Sequence, residues 1–345
     1  MRFDTLCLCA TLPLLFTGHA IGADAPVAIA DCTTITNNTA RLACFDGLAG
    51  KLAPPPAEQG AGVAPVLAPP ATTAVAEARK SKPGFSLSDH WELDASQKRG
   101  VFKLRPHHNN YLIGTYTHAP NDQPYEPFRP VDKDLRLAHT ELAFQLSFKM
   151  KMLENAFSSP VDLWFGYTQN SFWQADNGKA SSPFRETNYQ PEMIATVPLG
   201  FELLGVNARF LNFGLVHQSN GQSSTLSRSW NRVYAQVGLE RGDFRLTARA
   251  WKRLNEPLET DDNPDITDYM GQGDIVATYR NGGQEYSALL RRNMHTGKGA
   301  VQLGWAFPIA GQLKGYTHIF TGYGQSLIDY NYFQRSFGAG LQANF

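Results

Sequence analysis

From about residue 85 to the end of the chain, segments of about ten residues alternate apolar and polar side chains, with polar turns between them. In 299–307, Val301, Leu303, Trp305 and Phe307 alternate with Gln302, Gly304 and Ala306. In 243–251, Phe244, Leu246, Ala248 and Ala250 alternate with Arg245, Thr247, Arg249 and Trp251. The last segment sets Phe337, Ala339, Leu341, Ala343 and Phe345 against Ser336, Gly338, Gly340, Gln342 and Asn344. Successive side chains of a strand point to opposite faces, so each segment reads as a strand with one apolar face. About twelve are predicted, near 110–118, 139–151, 161–172, 188–199, 208–218, 229–239, 243–252, 272–281, 284–293, 299–308, 312–322 and 332–345. The pattern predicts an all-β chain, a twelve-stranded antiparallel transmembrane β-barrel with lipid outside and a polar lumen. An even count puts both barrel termini on the periplasmic side, so odd strands run outward and even strands return. Alternation alone also fits a soluble β-sandwich or lipocalin-like barrel whose apolar faces share one core.

The N-terminal third reads differently. Arg2 followed by the apolar run Leu6–Phe16 and small residues reads as a signal peptide over 1–23, with cleavage after Ala20, Ala23 or Ala25. Cys7 and Cys9 would leave with it, and Cys32 and Cys44 remain in a small periplasmic segment, 24–50. Two cysteines in an exported chain predict one disulfide. Residues 51–84, with Pro54-Pro55-Pro56 and Pro69-Pro70 among alanines, read as a linker too poor in large apolar groups to build a core. The barrel domain is then 85–345. Thirty-one basic and 31 acidic residues give a formal net charge of zero, which argues against a nucleic-acid binder. Beyond the N-terminus no run of 18 apolar residues suggests a transmembrane helix.

The fifth strand carries candidate chemistry. Its apolar face is Leu211, Phe213 and Leu215, and the same parity continues to His217 and Ser219. On the sixth strand Val233, Ala235, Val237 and Leu239 face lipid, and Asn231 shares their parity. A serine, a histidine and an amide thus meet on the outer wall, near the extracellular end and at the depth of outer-leaflet ester groups. Polar groups facing lipid are costly, and catalysis is a reason to keep them. Ser219 is the candidate nucleophile, His217 its base and Asn231 the group that orients the imidazole. The bland alternative is that the three sit in the polar interfacial belt. Gln169 has its own signal, since it shares parity with the apolar Leu163, Phe165 and Tyr167. An amide facing lipid invites a partner amide from a second copy. Arg245, Arg249 and Arg253 share the opposite parity and are expected to fill the lumen against carboxylates. The remaining histidines, His107 and His108 among them, show no metal-ligand spacing.

The stretch His217-Gln218-Ser219-Asn220-Gly221, followed by Ser227-Arg228-Ser229-Trp230-Asn231-Arg232, resembles the active-site signature of the outer-membrane phospholipase A family. So do residues 181–189 (SSPFRETNY), 261–267 (DDNPDIT), Gly322-Tyr323-Gly324 and 326–331 (SLIDYN). The resemblance covers about residues 105–345. It implies an outer-membrane barrel that hydrolyses acyl esters of glycerophospholipids and lysophospholipids, acting as a calcium-activated homodimer and idle as a monomer. It implies His217 as base, Ser219 as nucleophile, Asn231 as third member, and the Gly221 N–H as oxyanion donor. Calcium (Ca2+) in the dimer would be held by the Ser227 hydroxyl, the carbonyl at Gln222 and the carbonyl of Ser181 of the partner subunit. Asp262 would bind calcium in the monomer, and Gln169 would lie at the dimer contact. Hard oxygen ligands of this kind suit calcium. The family usually has arginine where this chain has Gln222, which leaves the carbonyl ligand intact. Two other functions stay open: a lipid A deacylase, and a passive channel or structural barrel.

Overall fold

A computed structural model of the chain describes residues 32–48, 85–130, 135–179 and 184–343. The signal segment, the linker, Ser181 and Phe345 lie outside the described residues. The chain divides into two units, Met1–Val75 and Ala76–Phe345. In the first, helix α1 (Asn38–Leu48) is capped by Asn37, whose Oδ1 accepts the N–H groups of Thr39 at 3.0 Å and Ala40 at 3.1 Å. Cys32 and Cys44 form a disulfide that ties the entry of this helix to its body.

The second unit holds short helices α2 (Leu87–Trp91) and α3 (Ile266–Met270) and thirteen strands among the described residues. These are β1 (Leu104–Pro106), β2 (Asn110–Thr117), β3 (Thr140–Ala156), β4 (Val161–Trp173), β5 (Glu186–Leu203), β6 (Val206–Ser219), β7 (Ser229–Arg241), β8 (Phe244–Arg253), β9 (Gly273–Asn281), β10 (Gln284–Arg292), β11 (Gly299–Ala310), β12 (Leu313–Gly322) and β13 (Gln334–Ala343). Every pairing is antiparallel. Strands β2–β13 close on themselves, with β13 on β2 and β3 on both β2 and β4. The barrel is therefore twelve-stranded, as the alternation predicts. β1 is the broken lower part of the first strand. It pairs with β3 from Leu104↔Met150 to Pro106↔Phe148, and the ladder resumes at Tyr111↔Gln145. His107, His108 and Asn109 leave the ladder between them.

The outer wall decides between a soluble and a membrane barrel. Leu215 is 50% exposed, Leu303 53%, Ile319 56% and Phe337 50%, while their inward neighbours Asn212, Gln342 and Lys149 are at most 1% exposed. A band of exposed Leu, Ile and Phe around a polar interior is the inverse of a soluble core and requires lipid. No helix of the described residues is long and apolar enough to cross a membrane, so the strands do the crossing. The connections orient the barrel. One end has tight turns, such as Gly282-Gly283, whose φ values of +56° and +89° suit a two-residue hairpin. The other end has longer loops at 118–139, 174–185, 220–228, 254–272 and 323–333. Short turns are periplasmic and long loops extracellular, so the candidate residues on β6 and β7 lie at the outer end.

β3 and β5 run farther toward the periplasm than the alternation indicates. Register shifts after Lys151 and after Pro198 break the period there, so pairing continues where the sequence pattern fades. Residues 85–99 fold into the periplasmic mouth. Leu87 and Trp91 pack against Trp164, Ile194 and Phe210. The Leu87 N–H donates to Glu240 Oε2 at 2.6 Å. Buried Glu92 meets Arg105 at 2.6 Å and Lys151 at 3.1 Å. This plug leaves a lumenal cavity of about 490 Å³ instead of an open pore. The lumenal arginines partly differ from expectation. Arg249 pairs with Asp274 at 2.6 Å, and Arg253 reaches Asp261 in the extracellular loop at 2.6 Å. Arg245 instead lies over the Phe85 ring at 3.8 Å, with Arg280 on the same ring at 4.0 Å. The plug brings an aromatic face to a cation that had been expected to take a carboxylate.

Candidate active site

Outward parity on β6 runs unbroken from Phe213 and Leu215 to His217 and Ser219. On β7 it runs from Val233 to Asn231. The ladder sets His217 directly opposite Asn231 and Ser219 opposite Ser229. His217 Nδ1 lies 2.9 Å from Asn231 Oδ1. An amide oxygen accepts, so the proton sits on Nδ1 and Nε2 is left as a free base. Among the described residues this is the hydrogen bond of the His217 ring. Ser219 stands on the same face two residues on, about 7 Å along the strand. Catalytic hydrogen bonds commonly tighten only when substrate is bound. Asn231 also donates, from Nδ2 to Glu256 Oε1 at 3.1 Å.

The strand is held from inside. Gln218 points into the lumen, and its Oε1 accepts from Trp230 Nε1 and Arg232 Nη2, both at 2.9 Å. Arg232 stacks on Trp230 at 3.9 Å, so one buried cation locks both strands behind the candidate residues. Asn220 clasps the 220–228 loop. Its Oδ1 accepts the Arg228 N–H at 2.9 Å, and its Nδ2 donates to the Leu226 carbonyl at 2.8 Å and to Glu186 at 3.2 Å. Within that loop Gly221 has φ +64°, and a Cβ there would press the Tyr189 ring at 3.2 Å. Glycine allows both the left-handed backbone and the close approach to Tyr189.

Ser227 and Asp262, both expected near calcium, come together. Ser227 Oγ donates to Asp262 Oδ2 at 2.6 Å on the exposed rim. The Gln222 side chain turns inward, donating to the Arg185 carbonyl at 3.2 Å and to Glu186 at 3.1 Å. Arg185 joins two loops at the mouth. Burial disfavours its cation, but Glu141 at 2.5 Å and Asp329 at 3.2 Å hold its pKa well above the usual value. Tyr330 donates to Asp265, and burial together with that bond raises its phenol. Gln169 is on the outer wall, as its parity predicts. Its amide is already engaged, by Tyr167 Oη at 3.0 Å and Ser171 Oγ at 3.1 Å.

A second cluster went unread in the sequence. His107, His108 and Glu192 place ligand atoms within 4.8 Å of one another. Their spacing gave no sign of it, because two of them sit in the break of the first strand. Glu192 is satisfied by His107 Nε2 at 2.8 Å and the Tyr234 hydroxyl at 2.6 Å. Lys149, Arg232 and Arg249 also act on that carboxylate. With three cations around one acid, nothing there favours a further cation. Glu186, Gln218 and Glu256 were likewise missed. Glu186 and Gln218 lay inside quoted motifs with no periodic signal for a lumenal anchor, and Glu256 lies in a loop with no pattern at all.

A closed membrane barrel with a histidine–amide pair and a serine on its lipid-facing wall defines a class: an outer-membrane barrel carrying a hydrolase constellation outside its lumen. The comparisons narrow that class. Residues 87–343 match the family model described as Phospholipase A1. A Neisseria meningitidis serogroup B protein provisionally named phospholipase A1 is 40% identical, over 91% of this chain and 90% of its own. The phospholipase A1 of Escherichia coli K12 is 37% identical over 70% of this chain and 82% of its own. The solved outer-membrane phospholipase A of Escherichia coli superposes with a TM-score of 0.65, at 37% identity, covering 70% of this chain and 99% of the other. An outer-membrane phospholipase from Salmonella typhi, described as a dimer with bound calcium, gives 0.66 at 36% identity, over 72% and 94%. The chain belongs to the phospholipase A1 family of outer-membrane carboxylic ester hydrolases.

Proposed function

We propose that the chain hydrolyses acyl esters of glycerophospholipids and lysophospholipids with Ser219, His217 and Asn231 on its lipid-facing wall. The observation that carries this reading is the 2.9 Å bond between His217 Nδ1 and Asn231 Oδ1 on the same outer face as Ser219. Ser219 Oγ attacks the ester carbonyl while His217 Nε2 takes its proton. The imidazolium then protonates the departing alcohol oxygen, and a water activated by the same nitrogen releases the fatty acid. The N–H of Gly221, held by its left-handed turn, donates to the oxyanion. Below His217 and Asn231 the wall carries a shallow apolar groove lined by Leu163, Met193, Phe213, Leu215 and Val233. An acyl chain laid there keeps its apolar contact with the wall while the ester reaches Ser219. The site thus takes its substrate sideways from the bilayer, without passing it through the lumen.

The rim oxygens fit calcium. Ser227 Oγ and Asp262 Oδ2 converge at 2.6 Å, a hard hydroxyl and carboxylate on an exposed edge. Ser227 and the Gln222 carbonyl, with the Ser181 carbonyl of the partner subunit, would hold the ion in a dimer, and Asp262 in a monomer. When bound, calcium supplies positive charge beside the developing oxyanion. The Salmonella typhi relative, described as a calcium-bound dimer, supports the same arrangement here. So does a further solved structure of the Escherichia coli enzyme (34% identity, TM-score 0.68, over 75% and 99%), described as an active-site asparagine-to-alanine mutant. The test is fatty-acid release from mixed micelles of glycerophospholipid and detergent, with calcium or with a chelator. Calcium-dependent release that vanishes in Ser219→Ala is expected. Release from lipid A alone, or full activity in Ser219→Ala, contradicts the reading.

A further inference from the structure

The hydrogen-bonded line from His217 continues past Asn231. At the end of β8 the Leu254 N–H donates to the Asn231 carbonyl at 2.8 Å, extending the ladder one step beyond Arg232↔Arg253. Two residues later Glu256 Oε1 accepts from Asn231 Nδ2 at 3.1 Å. Pro257 follows, and its carbonyl accepts the Thr260 N–H at 3.0 Å and Oγ1 at 3.2 Å. The chain is thus pinned on both sides of Glu256, and the half-buried carboxylate stands behind the amide. His217, Asn231 and Glu256 form one line along the outer rim.

Two consequences follow from elementary chemistry. An amide both donates and accepts, whereas a carboxylate only accepts. Glu256 therefore takes Nδ2 and leaves Oδ1 facing the imidazole. A half-turn of the amide would set oxygen against oxygen at Glu256 and donor against donor at His217. The second consequence is charge. Asn231 is neutral, yet an imidazolium forms when Ser219 gives up its proton. An anion one amide further along favours that imidazolium, more strongly at a rim bordered by lipid than in bulk water.

We propose that Glu256 is a positioning residue for ester hydrolysis, a fourth member that acts through Asn231 by fixing the amide and lending it negative charge. The inference rests on the reading of Ser219, His217 and Asn231 given above. It distinguishes orientation from charge. Glu256→Ala removes both, while Glu256→Gln keeps an acceptor for Nδ2 and removes the charge. Asn231→Asp puts two carboxylates in contact, where one must stay protonated or turn away. Adding Glu256→Gln to Asn231→Asp exchanges amide and acid along the same line, since the new amide can donate to the new carboxylate.

The experiment measures kcat and KM of the full chain in detergent with calcium, on a short-chain phospholipid. Folding of each variant is checked by its heat-modifiable electrophoretic mobility. Glu256→Ala should lower kcat roughly tenfold with KM unchanged, the loss of one hydrogen bond to a charged group. Glu256→Gln should lie between it and the wild type. Asn231→Asp should be poor, and the double variant Asn231→Asp with Glu256→Gln should recover activity over it, which a purely structural glutamate would not allow. Wild-type kcat in Glu256→Ala, a loss confined to KM, or a double variant no better than Asn231→Asp overturns the proposal. Ser219→Ala is run beside them. Should it stay active, the underlying site assignment falls and Glu256 with it. Should it be dead while Glu256→Ala is normal, only the role of Glu256 falls.

Discussion

Asn231 orients His217 and carries no charge of its own, so removing it should cost orientation without removing the base. Losing one hydrogen bond to a group that becomes charged is worth roughly 1.5–3 kcal/mol, or about tenfold to a hundredfold in turnover. Asn231→Ala is therefore expected to keep measurable activity. His217→Ala loses the base itself and should fall by at least the roughly 10²–10⁴-fold of general-base catalysis. Steady-state fatty-acid release from both variants orders them, and an Asn231→Ala enzyme as inert as His217→Ala would give the amide a larger role. At this scale the sequence was legible where parity speaks. His217, Ser219 and Asn231 continue apolar faces on neighbouring strands, and the structure puts all three outside, with His217 opposite Asn231. It was not legible where contacts come from loops or from the lumen. Glu256 has no periodic context, and Gln218 lies on the polar face, where one glutamine looks like any other.

Among the elements, the strands were readable because a membrane barrel repeats one constraint at every second residue. The readable part ended where that constraint ends. The first strand breaks at His107–Asn109, and β3 and β5 run on through register shifts that the alternation cannot show. The plug was not foreseen. A five-residue helix has too few residues for a period, although Ser86 does cap it, accepting the Asp89 N–H at 2.9 Å. Its lock is Glu92, 1% exposed. Burial works to raise that carboxyl, but Arg105, the Arg99 N–H and Lys151 hydrogen-bond it and hold its pKa below the ordinary value. A carboxyl depressed by folding adds stability above its unfolded pKa, and the contribution fades as pH falls through the folded value. Glu92→Gln should therefore destabilise the barrel at pH 7, by roughly 3–5 kcal/mol for one partner of a buried ionic cluster. The gap to wild type should close as pH drops below about 4. Thermal unfolding in detergent at both pH values checks this, and a gap that widens in acid contradicts it.

For the whole molecule, a barrel that cleaves its own membrane needs a reason to stay idle. A calcium site that borrows Ser181 of the partner subunit supplies one, because the site is then complete only in a pair. Binding of calcium and pairing must reinforce each other, since linkage is reciprocal. Gln169 faces lipid on β4 and bonds to Tyr167 and Ser171, so it can meet a second copy by exchanging those bonds. Gln169→Ala should weaken the dimer by about 1 kcal/mol, the range of polar contacts between membrane segments, as read by sedimentation in detergent. Ser227→Ala should raise the calcium needed for half-maximal activity, and an unchanged calcium titration would remove Ser227 from the metal site. The central claim is narrower than this control and can be tested apart from it: an activated serine stands on the outer wall at position 219. The direct measurement is mass mapping of the full chain after reaction with a sulfonyl fluoride in calcium. One adduct on Ser219, absent from His217→Ala, is predicted; an adduct on another residue, or none at Ser219, contradicts the account.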